Sequence, residues 1–219
     1  KAGHEVWVHL PMEPQDYPAA DPGPGAVLER VVSWWQEDGL WDDIWISVYR
    51  VMAGFLLSAI IQETTGMEAA DFAAEHLFGP LGITDFAWPA NPQGISIGWG
   101  ELRLRPQDMA KIGLLYLNEG EWAGEQIIPA AWVAASTRPF TSATLSDSYG
   151  YQWWTWDDGS YMARGIFGQG IFIDPKRQLV IASNSNWPQA TDRQGGDQDK
   201  ERSAFYKQVQ LSIDREVKP

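Results

Sequence analysis

Cysteine is absent from the 219 residues, which excludes disulfides and leaves the redox compartment open. Histidine is scarce: three in all, scattered, with no thiolate to join them, so a metal site has little to build on. The Asp-Gln-Asp at 197–199 reads as a helix start rather than a cation cage. No metal and no cofactor are expected. Long apolar runs are lacking too, none approaching the roughly 18–20 residues that span a bilayer. The opening KAGHEVWVHL is not a signal peptide, although a precursor could have lost one, so cytoplasmic and exported locations both stay open. Positive charge is in short supply, with 16 Lys and Arg against 29 Asp and Glu and a formal net charge of -13. A nucleic-acid partner needs clustered positive charge, so this balance argues against one. Its ordinary meaning is a soluble, self-repelling surface.

What is present is apolar material: 44% hydrophobic residues, enough for a substantial core in one large domain or two small ones. The 14 Pro and 21 Gly imply many punctuated connections without a fibrous repeat. The 13 Trp gather at Trp34, Trp35, Trp41 and Trp45 and at Trp153, Trp154 and Trp156. Core filling explains part of this, and clusters so dense can also wall a pocket.

The chain is organised around YGYQWWTWDDGSYMARGIFGQGIFIDPKRQLVIASN, residues 149–184 (the run ends at Asn184). Turn signals at DDG (157–159) and DPKR (174–177) separate apolar runs rich in strand-forming residues, which predicts an antiparallel meander. Pro175 pre-sets φ at the second turn position. Between the first two hairpin arms lies RGIFGQG, 164–170. Three glycines in six residues weaken a sheet unless the backbone bends or approaches something closely, which marks a candidate site.

Elsewhere, HEVWVHL (4–10) alternates like a short strand and the proline-rich stretch to 25 reads as a loop. AVLERVVSWWQ (26–36) makes a helix stopped by Gly39, and WDDIWISVY (41–49) is ambiguous. VMAGFLLSAIIQETT (51–65) is apolar all round, which predicts a helix buried between other elements. A further helix from about 68 turns Phe72, Leu77 and Phe78 inward, with His76 read as a structural or surface residue and a chemical role as the alternative. Pro106 opens a helix with Met109, Ile112 and Tyr116 on its buried face, and another short helix starts near Pro129. Asp108 and Lys111 are spaced to pair for about 0.2–0.5 kcal/mol. After a polar loop, NWPQATDRQGGDQD, a terminal helix carries Phe205, Val209 and Ile213 at a spacing of four and is expected across the sheet. This gives a mainly helical domain over 1–148 and an antiparallel sheet with C-terminal helix over 149–219.

LLSAIIQETTGMEAADFAAEHLFGPLGITDFAW (56–88), GWGELRLRPQDMAKIGLLYLNEGEWAGEQIIPAAWV (98–133) and the 149–186 stretch together resemble the serine beta-lactamase and penicillin-binding-protein-like hydrolases. The nearest branch is the class C-like one, with esterases, D-aminopeptidases and 6-aminohexanoate-dimer hydrolases. The resemblance covers the C-terminal two-thirds of that family. It implies an α/β (α+β) fold, with an antiparallel sheet flanked by helices, a mainly helical domain, and the N-terminal part of the fold missing. It also implies acyl transfer through a serine.

The family's three signatures fare differently. No serine here is followed by lysine three positions later. The chain is a fragment, or joins segments across other residues, or has discarded the chemistry. The tyrosine motif falls on Tyr49-Arg50-Val51, where the small polar residues are lost; by resemblance Tyr49 supplies the phenol that relays protons, with a structural tyrosine as the alternative. The sheet-edge triplet falls on Ala163-Arg164-Gly165. By resemblance, Gly165 admits the substrate carbonyl and the Ile166 N–H forms half of an oxyanion hole. Arg164 offers its donor fork to a carboxylate, with a structural acid pair as the alternative. Gln169 is a supporting hydrogen-bonder or a purely structural one, and Trp154 is a candidate substrate wall. The expected partner is a small ester or amide. The competing reading is an inactive binding or scaffold protein that keeps the cleft and its tryptophans.

Overall fold

The structure, a computed structural model, describes residues 40–143, 146–185, 187 and 198–216, with the side chains of 40–51, 199 and 216 left aside. The strand expected at 4–10, the loop to 25 and the helix at 26–36 lie outside the described residues. Two compact units emerge: one takes Glu75–Phe86 and the described part of Leu104–Pro219, the other Ala87–Arg103 and the described part of Val8–Ala74.

The first unit is built on a six-stranded antiparallel sheet in strict chain order. Its strands are β5 (Thr141–Ser142), β6 (Ser148–Tyr149), β7 (Trp154–Thr155), β8 (Tyr161–Arg164), β9 (Gly170–Asp174) and β10 (Leu179–Ser183). Each strand pairs with the next, as expected of hairpin-connected runs, so the predicted meander is extended by two strands on its N-terminal side. The register sorts the side chains. Tyr161, Ile173 and Val180 form one cross-strand row, and Met162, Phe172 and Ile181 the next. Because side chains alternate along a strand, adjacent rows face opposite ways.

One face packs on α3 (Pro106–Leu117), where Met109, Ile112 and Tyr116 meet Trp153, Tyr161, Ile171 and Ile173, as the helical period predicts. Gly113 lets the helix lie low: a Cβ there would stand 2.5 Å from Val180 Cγ1 and 2.8 Å from Ile171 Cγ2. The other face is covered by α5 (Gln198–Glu216), through Tyr206, Val209 and Ile213 on Met162, Phe172 and Leu179. The sequence reading placed Phe205 inward; instead Tyr206 is buried and stacks on Phe172 at 4.9 Å, while Phe205 is 42% exposed. Positions 206, 209 and 213 follow the 3.6 period, which a strict spacing of four misses by one residue.

The DPKR turn is locked to α5. Arg177 donates to Asp174 Oδ2 at 2.8 Å and to both Asp214 oxygens at 3.0 and 2.8 Å, and Gln210 donates to Asp174 Oδ2 at 2.6 Å. These carboxylates hold the Arg177 guanidinium well above its ordinary pKa. At the start of α3, Asp108 is only 1% exposed and is held by Arg105 and Lys111, each at 2.9 Å. Burial opposes its charge, yet the hydrogen bonds from Lys111 and Arg105 bring its pKa below the usual carboxylate value. The pair expected to be worth only about 0.2–0.5 kcal/mol is thus part of a half-buried triad with Arg105. Lys111 also donates to Gly82 O at 3.0 Å, tying α3 to the segment that carries buried Phe78, Leu81 and Ile83. The short strands β1 (Phe86–Ala87) and β2 (Arg103–Leu104) come earlier in the chain, followed by the β3–β4 hairpin (Glu121–Trp122, Glu125–Gln126) and by α4 (Ala130–Ser136), which starts after Pro129 as the sequence predicts.

In the second unit, α1 runs Leu40–Thr65, so the ambiguous 41–49 stretch is helical and continuous with 51–65. No glycine or proline interrupts it before Gly54. Gly66 closes it at φ +74°, its amide on Gln62 O. Here the expectation of an almost wholly buried helix fails: Met52, Leu56, Leu57 and Ile60 are 54–57% exposed. Among the described side chains, Gly54 and Ser58 lie closely packed against the backbone of Gly98 and Trp99. Apolar residues all round show that a helix can be covered on every side; they do not provide the cover. The short α2 (Ala69–Ala73) follows, with Ala70 N donating to the buried Ser96 hydroxyl at 3.1 Å. Among the described residues no helix is long and apolar enough to cross a membrane.

Candidate active site

The glycine-rich stretch forms the turn between β8 and β9. Arg164 pairs with Gly170, and Gly165 N donates back to Gln169 O at 2.8 Å, closing a tight loop over 165–169. Inside it, Gln169 Oε1 accepts from Phe167 N at 3.0 Å. The three glycines answer to three neighbours. A Cβ at Gly165 would meet Gln169 Oε1 at 2.5 Å and Gln169 Cβ at 3.1 Å. Gly168 sits at φ +85°, where side chains are strained, and a Cβ there would stand 2.5 Å from Trp187 Cε2. One at Gly170 would run into Met162 and stand 3.4 Å from the Tyr206 hydroxyl. The cost of these glycines is therefore explained by close approach, as the sequence suggested.

The loop projects Ile166, 59% exposed, and Phe167 beside it. Among the described residues the Ile166 amide donates to no backbone carbonyl. Below the loop, the row Arg164–Gly170–Ser183 lies on the α5 face of the sheet, where Ser183 Oγ and Tyr206 Oη are 3.3 Å apart. Burial raises the Tyr206 pKa; the Ser183 hydrogen bond and the charges of Arg202 and Arg164 act the other way without cancelling it. Tyr206 is thus a neutral phenol at physiological pH.

Of the residues singled out in the sequence, Arg164, Gly165, Ile166 and Gln169 come together in this turn. Trp154 does not: it stands on β7 opposite Met162, its ring 4.8 Å from that of Tyr149. Tyr49 lies on α1, with its side chain outside the described residues. Sequence reasoning missed Trp187 and Arg202, whose guanidinium carbon sits 4.9 Å over the indole. Trp187 fell in a stretch read only as a polar loop, and the one available signal was the second glycine, Gly168, which needs a neighbour.

The Beta-lactamase family profile matches residues 13–204. The chain belongs to that family. Its mixed architecture, with antiparallel sheets and flanking helices, is the beta-lactamase and transpeptidase-like fold, as the resemblance implied. A 6-aminohexanoate-dimer hydrolase of Paenarthrobacter ureafaciens is 27% identical over 146 residues, 61% of this chain and 37% of that protein. A Bacillus anthracis structure named as a 6-aminohexanoate-dimer hydrolase superimposes with a TM-score of 0.61 at 25% identity, over 73% of this chain and 42% of the other. The chain therefore spans about two-fifths of the length of these beta-lactamase family relatives.

Proposed function

We propose that this chain belongs to a serine hydrolase acting on a small ester or amide, with the 165–169 turn receiving the acyl carbonyl. The observation that carries the reading is the Ile166 amide, at the exposed tip of a turn braced from within by Gln169 and without a backbone acceptor among the described residues. A main-chain donor fixed in this way stabilises a developing oxyanion without reorganising, the largest single contribution in many acyl transfers. The relatives named for a 6-aminohexanoate dimer favour a short amide as substrate.

In this reading serine attacks the carbonyl and the tetrahedral oxyanion is held by two N–H groups including that of Ile166. Its collapse breaks the ester or amide bond and expels the protonated alcohol or amine, and water then hydrolyses the acyl-serine to the free acid and serine. Arg164 draws a substrate carboxylate toward the base of the turn. The Ser-x-x-Lys pair that generates the nucleophile is not among these 219 residues. A fluorophosphonate probe tests this directly. The 219 residues alone give no labelling and no acyl-enzyme burst, whereas a protein that also carries the pair is labelled on its serine. Mass spectrometry placing the probe on Ser47, Ser58 or Ser203 contradicts the reading.

A further inference from the structure

We propose that Trp187 and Arg202 form a clamp that sets the position of the 165–169 turn; as a contribution to catalysis, this rests on the function proposed above. Gln169 braces the turn only from inside, within the loop's own residues. The outside support is the Trp187 indole. It lies so close to Gly168 that a Cβ there would stand 2.5 Å from Cε2 and 2.7 Å from Nε1, with Ser185 Cβ also at 2.7 Å. The Trp187 amide makes a long hydrogen bond to Phe167 O at 3.5 Å. Contact thus falls on the two residues that follow Ile166.

The indole is in turn covered by Arg202, whose guanidinium carbon is 4.9 Å from the ring centroid, a cation–π geometry. Arg202 stands one helical turn before Tyr206, which is buried on the sheet, and the far end of α5 is pinned by Arg177 to Asp214. The clamp is therefore referenced to the sheet at both ends of α5. Among the described residues the Trp187 indole is not one of the apolar groups packed on the two sheet-face clusters, so its loss should act first on the turn. Trp187 and Arg202 are positioning residues: they act on the acyl carbonyl only through Gly168 and the backbone of 166–167.

Residue-resolved hydrogen exchange on the 219-residue chain tests the clamp without any need for turnover. In Trp187→Ala the hydrogen-bonded amides of Gly165 and Phe167 should exchange about tenfold faster or more, while those of β9 and β10 stay as in the parent. Trp187→Phe should return most of the protection, and Trp132→Ala, at an exposed ring elsewhere, should change none of it. Arg202→Gln, which keeps the indole, should accelerate the same two amides to a smaller extent, and it carries the test if Trp187→Ala does not fold. Unchanged exchange at 165 and 167 in the folded variants, or equal acceleration throughout the sheet, overturns the clamp. In the protein that turns over, Trp187→Ala should lower kcat by about 10- to 100-fold with little change in KM, since a displacement near 1 Å is costly to a reacting geometry. Local acceleration of exchange with no hydrolysis in any form would leave the clamp standing and remove the hydrolase reading. Normal exchange with intact hydrolysis would do the reverse.

Discussion

Gln169 occupies the space that a side chain at Gly165 would need: a Cβ built on Gly165 lies 2.5 Å from its Oε1 and 3.1 Å from its Cβ. The far oxygen can swing away, but the Cβ cannot, so Gly165→Val must displace both the brace and the Phe167 N–H it satisfies. Stability should fall by about 1–3 kcal/mol from overpacking. Turnover should fall further, by about 2.7–4 kcal/mol in the transition state if the Ile166 donor is lost. A double-mutant cycle with Gly165→Ala and Gln169→Ala should show coupling of at least about 0.5 kcal/mol in stability. Additive effects would show that the two residues do not share the space.

Asp108 gives the fold an acid-sensitive joint. Its folded pKa lies below the ordinary value near 3.9, so its contribution is fully present above the unfolded pKa and is lost as pH falls through the folded one. Asp108→Ala should cost about 1.5–3 kcal/mol at pH 7, the range for hydrogen bonds to a charged group. The gap between variant and parent should narrow only below about pH 4. Denaturant titrations at pH 7 and pH 3 check this, and a gap that is the same at both values would contradict the pairing.

Gly113 fixes the spacing between α3 and the sheet. Alanine there gains helix propensity of about 0.8–1.0 kcal/mol, but its methyl would press on Val180 and Ile171 in an interface with no slack. Gly113→Ala should therefore be neutral to destabilising and Gly113→Val destabilising by about 1–3 kcal/mol or more, read as a fall in the denaturant midpoint. A stabilised Gly113→Ala would show that the sheet yields.

Much of this was legible in the sequence. Residues 149–184 announce a meander because turn residues at DDG and DPKR recur between strand-like runs, and RGIFGQG announces a close approach. The strands Thr141–Ser142 and Ser148–Tyr149 are too short to show a period and are formed by pairing along the growing edge. Tyr206 displaced Phe205 because a helical face drifts from a spacing of four. Trp187 was signalled only from the other side, by Gly168, since a single aromatic in a polar stretch has no period to betray its neighbour. For α1, composition named the faces able to be buried and was silent on what lies against them.

That last point yields a stability contrast. In the 219-residue chain, Leu56→Ala and Ile60→Ala should each stay within about 0.5 kcal/mol of the parent, as surface changes do. Leu115→Ala, at a fully buried position, should cost about 2–5 kcal/mol by cavity formation. Losses at Leu56 and Ile60 as large as at Leu115 would mean that this face of α1 is covered.

The most direct test of the central claim removes one atom pair, the Ile166 N–H. An amide-to-ester replacement of the 165–166 peptide bond, made in the protein that carries the Ser-x-x-Lys pair, keeps every side chain, replaces the Ile166 N–H by an oxygen and otherwise only weakens the Gly165 carbonyl as an acceptor. The account predicts that kcat for an activated ester falls by about 10²- to 10³-fold, with labelling by a fluorophosphonate slowed in parallel. An ester variant that turns over at the parent rate would contradict it, because the turn would then be a structural hairpin and the oxyanion would be held elsewhere.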